Sequence, residues 1–477
     1  MSKDHPLFFH FGDNKRKSAT EQQESQKRKR GLKMEPLEDR CMLAADLIGQ
    51  GVFDDLQVDN TQYHGSRVIV QFAENLEVPA SFKVAGHDFS VGERMGGKAG
   101  LRQVNVPKGM DVNAAVEQLK GRNDVVFAEL DYRVSLSATP NDPSFSSLWG
   151  LNNTGQSGGT IDADIDALEA WEITTGSAST IVAVIDTGVD YNHVDLAGNI
   201  WVNTGEIAGN GVDDDGNGFV DDIHGYDFAD NDANPIPDSF SSEKHGTHVA
   251  GTIGAMGDNG IGVVGVNWDV QIMSLRFLDE SGSGYTSDAV GAVYYAIDNG
   301  ATISNNSWGG GGYSQSMYDA IAYGQTKNHI FVAAAGNSSS NNDSSAHYPS
   351  NYNLDNVVSV ASTDRYDELS SFSSYGATTV DLAAPGSSIY STFPGDTYGT
   401  YSGTSMATPH VAGAMALVLS EYPDLSYGEV LDRIYSSVDT LGSLAGKMVT
   451  GGRLNAAAAL AAGNGSPIAE PDTYGAF

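Results

Sequence analysis

Cysteine is almost absent from this chain of 477 residues, since Cys41 is the only one. An intramolecular disulfide, a cysteine-rich zinc site and a CxxC redox motif are therefore excluded. Long apolar runs are missing too, and no window reaches the roughly 18 uninterrupted apolar residues that a membrane-spanning helix requires. The sequence predicts a protein without a membrane span, whose loops are held by something other than disulfides.

Basic side chains are also scarce. Lys and Arg number 26 against 61 Asp and Glu, which gives a formal net charge of −35. The imbalance lies in residues 138–477, where 7 basic side chains accompany 41 acidic ones. Such a surface repels phosphates, so nucleic acids and anionic membranes are not expected as partners, whereas cations are favoured.

The two ends of the chain have the composition of segments outside a folded domain. Residues 1–60 contain the basic run 27–30 and few apolar side chains, and we expect a disordered leader. The stretch 35–45 resembles an N-terminal segment of exported bacterial proteins, although it lacks the apolar region of an ordinary signal peptide. By this resemblance we expect a secreted or cell-surface protein. Residues 464–477 are expected to be a flexible tail.

Residues 65–136 have the pattern of a small α/β unit. Strands are predicted over 67–72 and 125–128, and a helix over 111–120. The helix is indicated by apolar residues three and four positions apart, namely Val112, Ala115, Val116 and Leu119. A unit of this size is only marginally stable alone.

The segment 140–463 alternates short apolar strands with helices. Strands are predicted at 181–185, 330–334 and 357–361, and helices at 287–298 and 405–421. Continuous apolar runs are typical of strands that are buried on both faces of a sheet. We therefore predict an α/β fold of three layers, with a mostly parallel sheet covered by helices on both faces. In such sheets, reactive groups gather where the strands end.

Three reactive side chains occupy positions that this fold uses. Asp186 directly follows the strand 181–185, and His245 opens a helix of small residues. Ser405 shortly precedes Pro409, which is tolerated only near the beginning of a helix. A serine becomes a nucleophile when an imidazole takes its proton, and a carboxylate orients that imidazole. The order Asp, His, Ser, and the lack of a G-x-S-x-G motif around Ser405, disfavour an α/β-hydrolase.

These segments, together with the motifs at 335–337 and 307–310, resemble the subtilisin-like serine peptidases, and especially their thermitase-like branch. The resemblance covers residues 140–460. It implies that Asp186 orients His245, which acts first as general base and then as general acid, and that Ser405 is the nucleophile. It further implies that Asn337 is the side-chain donor of the oxyanion hole, joined by the backbone N–H of Ser405. The implied function is a serine endopeptidase of broad specificity, monomeric and made as a self-processed zymogen.

The resemblance also implies a channel for extended polypeptide substrates. An edge strand near 306–310 would pair with the substrate backbone. The small residues Ala333, Ala334 and Gly336 predict a pocket roomy enough for an apolar or aromatic P1 side chain, with His347 near its floor. The predicted substrate-binding residues are Ser307, Trp308, Gly309, Gly310, Ala333, Ala334 and Gly336.

Calcium is the expected cofactor, with one to three structural sites. The segment 213–222 carries oxygen ligands at positions 1, 3, 5 and 9 of an EF-hand-like loop, namely Asp213, Asp215, Asn217 and Asp221. Position 12 is His224 and not Glu, so a solvated acidic turn is an equal alternative. Two further ligand sets follow from the resemblance: Asp142, Asp195 and Asn259 for one site, and Asp227, Asp230 and Asp232 for a weaker one.

By the same resemblance, residues 65–136 take the place of a propeptide that assists folding, occupies the channel and is cut near 135–141. A permanent accessory domain is the alternative. Two other functions stay open for the whole protein. One is a catalytically silent, calcium-dependent binding protein. The other is a peptide ligase or cyclase that uses the same acyl-enzyme, which requires the exclusion of water from the acyl group.

Overall fold

A computed structural model describes residues 63–73, 78–96, 98, 100–132 and 139–462. The chain divides into two compact units, Met1–Tyr132 and Arg133–Phe477. The predicted leader, positions 135–138 of the predicted cleavage segment and the predicted tail lie outside the described residues. None of the described helices is long and apolar enough to cross a bilayer.

The described part of the first unit is an antiparallel sheet covered by one helix. Its strands, in the spatial order β2-β3-β4-β1-β5, are β1 (Tyr63–Phe72), β2 (Ser81–Val84), β3 (His87–Arg94), β4 (Leu101–Asn105) and β5 (Val125–Tyr132). Helix α1 (Val112–Lys120) begins where the carboxylate of Asp111 accepts a hydrogen bond of 2.9 Å from the N–H of Ala114. All four apolar side chains that indicated this helix are buried in the core.

The second unit contains the larger sheet and a separate hairpin. Its strands are β6 (Gly176–Asp186), β7 (Gly225–Asp227), β8 (Asp269–Arg276), β9 (Ile303–Asn306), β10 (Ile330–Ala334), β11 (Val357–Thr363), β12 (Leu382–Pro385), β13 (Ile389–Phe393), β14 (Thr397–Tyr401), β15 (Asp439–Thr440) and β16 (Gly452–Arg453). Its α-helices are α2 (Ala167–Trp171), α3 (His245–Gly254), α4 (Thr286–Asp298), α5 (Gln315–Thr326), α6 (Thr404–Glu421), α7 (Tyr427–Ser436) and α8 (Ala456–Ala461).

Nine of the described strands form one sheet in the order β15-β16-β12-β11-β10-β9-β6-β8-β7. Every neighbouring pair is parallel except β15 and β16 at one edge. Strands β13 and β14 form a separate hairpin. The prediction of a mostly parallel α/β sheet is therefore confirmed.

Alternate residues of the central strands enter two different cores, which explains their continuous apolar character. Val182 and Val184 of β6 lie in the core that contains α3 and α6. Ala183 and Ile185 lie in the core on the other face, with α4 and α5. Because side chains alternate across a strand, only a sequence that is apolar at every position can fill both cores.

Candidate active site

Asp186 and His245 form the central pair of the site. Asp186 is the last residue of β6 and is fully buried, whereas the side chain of His245, at the start of α3, is 30% exposed. His245 Nδ1 lies 2.8 Å and 2.9 Å from the two carboxylate oxygens of Asp186. The N–H of Thr187 donates to Oδ1 of Asp186 at 2.7 Å, and the hydroxyl of Thr187 accepts from the N–H of Gly246. These bonds fix the carboxylate and the helix start to each other.

The pKa of His245 depends on two opposing effects. Burial disfavours the imidazolium and lowers the pKa, but the charge of Asp186 and its hydrogen bond to Nδ1 favour it, and the net result is a pKa above the ordinary histidine value. The bond to Asp186 also leaves Nε2 as the nitrogen that faces away from the carboxylate. An imidazole held in this way is suited to accept a proton at Nε2.

Ser405 lies in the first turn of α6, which begins after Gly403, as the sequence predicted. Its hydroxyl donates to the backbone carbonyl of Ser307 at 3.0 Å. In this structure the serine hydroxyl is therefore engaged by Ser307 and not by His245. A rotation about the Cα–Cβ bond of Ser405 is needed before the hydroxyl can turn toward another acceptor.

Asn337 is held next to Ser405 by a residue that the sequence analysis did not single out, Thr404. The backbone N–H of Thr404 donates to Oδ1 of Asn337 at 2.8 Å, and its hydroxyl lies 3.1 Å from the same oxygen. That hydroxyl also accepts from the N–H of Gly336 at 3.1 Å. Because Oδ1 is used in this way, the NH₂ group of Asn337 is directed outward as a donor. The one feature of the sequence that could have indicated this role is the position of Thr404 immediately before Ser405.

The segment 307–310 differs from its prediction. An edge strand was expected near 306–310, but β9 ends at Asn306 and is a central strand between β10 and β6. Residues 307–310 continue beyond the end of the sheet, where Gly309 and Gly310 are exposed and Gly310 donates to the carbonyl of Tyr348 at 2.9 Å. Because a central strand is hydrogen-bonded to a neighbour on each side, its backbone groups become free only where the strand continues beyond the ends of those neighbours. The exposed segment therefore lies past the end of the sheet and not along an edge strand.

The small residues of β10 also have a different role from the one predicted. Ala333 is fully buried in the core with α4 and α5, and Ala334 is 3% exposed, so neither lines an open pocket. Gly336 is also buried, has φ of +104° and donates its N–H to the hydroxyl of Thr404, the residue before Ser405. The ring of His347 lies against both Gly336 and Gly309.

Comparison with known proteins agrees with this geometry. The sequence model described as "Subtilase family" matches residues 177–468, more than half of the chain. The chain belongs to the subtilase family. It is 37% identical over 364 residues to a thermophilic serine proteinase of Bacillus sp. (strain AK1), covering 75% of this chain and 79% of that protein. It is 40% identical over 284 residues to thermitase of Thermoactinomyces vulgaris, covering 59% of this chain and 86% of thermitase.

Solved structures are similar as well. A protease from Pseudoalteromonas arctica has a TM-score of 0.55 and 30% identity, and the match covers 68% of this chain and 99% of that one. The predicted subtilisin-like fold and family are thereby confirmed. The protein is a subtilisin-like serine endopeptidase that acts on polypeptides.

Asp142 and Asp195 are two buried carboxylates of the subtilase whose surroundings fit a metal ion. Asp142 is 4% exposed, and its Oδ1 has no hydrogen-bond partner within the described ranges, while Oδ2 accepts from the N–H of Asp258. Asp195 is fully buried and accepts from Nδ2 of Asn259 at 2.7 Å. Burial, with the neighbouring charge of Asp195, raises the pKa of Asp142, and burial raises that of Asp195. A pair of buried carboxylates in which one oxygen, Oδ1 of Asp142, is unused is consistent with a hard cation such as Ca²⁺.

In the EF-hand-like segment 213–222, the carboxylates that lie close together differ in part from the predicted calcium ligands. Oxygens of Glu206, Asp213 and Asp215 lie within 4.8 Å of one another. Glu206 precedes the EF-hand-like pattern and was not predicted. Asp221 instead accepts backbone N–H bonds from Asn210 and Gly211. Asn217 donates to Asp215 and Asp222 through its amide.

The third predicted set of calcium ligands is already paired with the side chain of an arginine. The guanidinium of Arg276 lies 2.5 Å from Asp227 and 2.8 Å from Asp230, and it also pairs with Asp238 and Glu243. Asp232 is exposed and accepts from the N–H of Asn234. Because Arg276 neutralises the two carboxylates that a metal would need, we do not retain Asp227, Asp230 and Asp232 as a calcium site.

Proposed function

We propose that this subtilase is a secreted serine endopeptidase that cleaves peptide bonds through an acyl-enzyme on Ser405. The observation that carries the proposal is the pairing of a buried carboxylate, Asp186, with a half-buried imidazole, His245, through both carboxylate oxygens. This arrangement fixes the tautomer in which Nε2 accepts a proton. Ser405 and Asn337 lie on segments joined by hydrogen bonds through Thr404, which supports a common site for the nucleophile and the amide donor.

The proposed reaction begins when the hydroxyl of Ser405 leaves the carbonyl of Ser307 and turns to Nε2 of His245. His245 takes the proton while Oγ attacks the substrate carbonyl, and the oxygen of that carbonyl becomes an anion. The NH₂ of Asn337 and the N–H of Ser405 donate to this anion. His245 then gives its proton to the amine as the C–N bond breaks, which leaves the acyl group as an ester on Ser405. Water loses a proton to His245 and attacks that ester, and His245 returns the proton to Oγ as the carboxylic acid product leaves.

The experiment that tests this proposal is labelling with a fluorophosphonate, which reacts only with an activated serine. We expect the label on Ser405, and we expect Ser405→Ala to lose both the label and casein hydrolysis, by about 10⁴-fold or more, with an unchanged circular dichroism spectrum. Ser436→Ala is a matched control, because Ser436 is an exposed serine of α7 bonded to the carbonyl of Asp432. An unlabelled wild type would favour the silent binding protein, and undiminished hydrolysis by the variant would contradict the role of Ser405.

We propose broad specificity, with apolar contacts to substrate side chains away from the cleaved bond. A cavity of about 340 Å³ adjoins the segment 308–312, and its lining combines glycines and hydroxyl side chains with apolar and aromatic ones, including Phe277, Leu278, Met317 and Tyr352. It is accessible from the segment expected to bind the substrate backbone. The expected preference for apolar or aromatic groups at P1 itself is not retained, because His347 lies where a roomy pocket was predicted.

We propose two structural calcium sites. The first uses Asp142, Asp195 and Asn259, and the orphaned Oδ1 of Asp142 supports it. The second uses Glu206, Asp213 and Asp215, with Asn217 as a further oxygen ligand. Bound Ca²⁺ would supply fixed positive charge for these loops in a domain without disulfides. It takes no part in the bond-breaking steps.

We further propose that the chain is a monomeric, exported zymogen. Residues 65–136 would act as the propeptide and be removed by the enzyme's own activity near 135–141. The described part of this segment forms a compact unit with its own apolar core, which supports an independently folded segment. Export rests on the resemblance of the stretch 35–45 to exported bacterial proteins.

A further inference from the structure

His347 lies between two glycines on different segments of the second unit. A methyl group built on Gly309 would collide with Cε1 of His347, and one built on Gly336 would lie 3.1 Å from its Nε2. One imidazole ring therefore fills the space between the two backbones. Only glycine fits opposite this ring at position 309.

The same two segments flank the proposed nucleophile. Ser307, two residues before Gly309, bonds to Ser405 in both directions. Asn337, the residue after Gly336, is bonded to Thr404 immediately before Ser405. On the proposed placement of the substrate carbonyl at Ser405 Oγ and Asn337 Nδ2, the side chain of that substrate residue, P1, would enter between the segments. His347 occupies the inner end of this space.

The hydrogen bonds of His347 define which of its atoms faces the space. The hydroxyl of Ser350 donates to the carbonyl of His347 at 2.8 Å, so its oxygen is left to accept from Nδ1–H at 3.3 Å. Burial lowers the pKa of His347, so the ring is neutral near pH 7 and Nε2 is an acceptor. The hydroxyl oxygen of buried Ser374 lies 3.3 Å from the methyl position on Gly336. The inner end of the space therefore offers one acceptor and one hydroxyl.

We propose that His347 is a specificity-determining residue that makes the P1 pocket short and polar, so that the enzyme prefers a short uncharged polar P1 side chain, best a carboxamide, over an aromatic one. The NH₂ of an Asn side chain would donate to Nε2 of His347, and its oxygen would accept from the hydroxyl of Ser374. A phenyl ring would need the volume that the imidazole occupies. This inference rests on the proposed placement of the substrate carbonyl at Ser405.

The experiment compares kcat/KM for fluorogenic peptides that differ only at P1, with Asn, Ala or Phe. For the wild type we expect Asn to exceed Phe by at least about tenfold, the scale at which a pocket discriminates by size and pairing. His347→Ala should raise kcat/KM for Phe by at least about tenfold and lower that for Asn by about three- to tenfold, since one hydrogen bond is lost. His347→Leu keeps the volume, so Phe should stay poor while Asn loses its advantage. Ser436→Ala, which removes an exposed hydroxyl on α7, should leave the ratios unchanged.

Two results would overturn the inference. One is a wild type that cleaves after Phe better than after Asn, a result that needs no variant. The other is a His347→Ala variant whose ratio of kcat/KM for Phe to kcat/KM for Asn stays within about twofold of the wild-type ratio. Such a change is smaller than the loss of one hydrogen bond would produce. In both cases fluorophosphonate labelling of Ser405 and cleavage after Ala would still show an active endopeptidase. Loss of labelling and of cleavage after every P1 residue in the wild type would instead contradict the proposed function.

Discussion

Ser307 and Ser405 hold each other through two reciprocal hydrogen bonds. The hydroxyl of Ser307 donates to the carbonyl of Ser405 at 2.8 Å, and the hydroxyl of Ser405 donates to the carbonyl of Ser307 at 3.0 Å. The amide of Asn305, in β9, fixes the hydroxyl of Ser307 in turn. The end of a central strand thus positions the start of α6, and it keeps the serine hydroxyl engaged until substrate binding and rotation bring it to His245.

The position of Asn337 should depend on the hydroxyl of Thr404. Thr404→Val keeps the shape of the side chain but removes the contacts of Oγ1 with Asn337 and with the N–H of Gly336. The backbone N–H of Thr404 still holds Asn337, so we expect a partial loss, with kcat lower by about tenfold and KM within about twofold. Steady-state kinetics on a peptide substrate measures both constants.

Asn337→Ala provides the comparison, because it removes the proposed anion donor itself and should lower kcat by about 10²- to 10³-fold. If Thr404 acts through Asn337, the double variant should be no slower than Asn337→Ala alone. Losses that multiply in the double variant would show that Thr404 acts by another route. Thermal melting of each variant checks that the buried site still folds.

The pKa of His245 sets the acid limb of activity. His245 must be neutral to accept the proton of Ser405, so kcat/KM should rise with pH and level off once His245 has lost its proton. Because Asp186 raises the pKa of His245, the midpoint should lie above the ordinary value of about 6.5. Asp186→Asn should move the midpoint to lower pH and reduce kcat by about 10⁴-fold. Asp319→Asn, which removes an exposed carboxylate on α5, should leave the profile unchanged. A wild-type midpoint below the ordinary value of about 6.5 would contradict the assignment.

Removal of calcium should destabilise the second unit. If the site at Asp142 is filled at about 100 times its dissociation constant, chelation removes about 2.7 kcal/mol of stability, on the order of 5 °C or more in Tm. Differential scanning calorimetry with excess Ca²⁺ and with EDTA measures the shift. Asp142→Asn should lower the Tm in Ca²⁺ and respond less to EDTA, whereas Asp319→Asn should behave as the wild type. Identical melting curves of the wild type in Ca²⁺ and EDTA would contradict the proposal.

The parts of this structure that could be predicted from sequence are those encoded by local pattern. Strand β10 was predicted with its observed bounds, because a run that is apolar at every position has few alternatives in a sheet with two cores. Asp186 and Ser405 were placed correctly at a strand end and a helix start, since each position follows from its neighbours in the chain.

Contacts between distant segments could not be predicted in this way. Arg276 is 46 residues from Asp230, and only the pairing of β7 with β8 brings its guanidinium to these carboxylates. Nothing in the sequence near Asp227 indicates that its cation is an arginine. The place of His347 is likewise decided by two glycines that precede it by 38 and 11 residues. These are the positions at which the expected metal site and the expected P1 pocket were revised.

Maturation should depend on the enzyme's own nucleophile. We expect the purified wild type to lack residues 65–136, and Ser405→Ala to retain them, because no acyl-enzyme can form on alanine. Intact mass measurement and N-terminal sequencing after expression identify the cut and test whether it falls within 135–141. Ser436→Ala should be processed as the wild type. Equal processing of the Ser405→Ala chain would show that another peptidase makes the cut, and a wild type that keeps residues 65–136 while it hydrolyses casein would identify them as a permanent accessory domain.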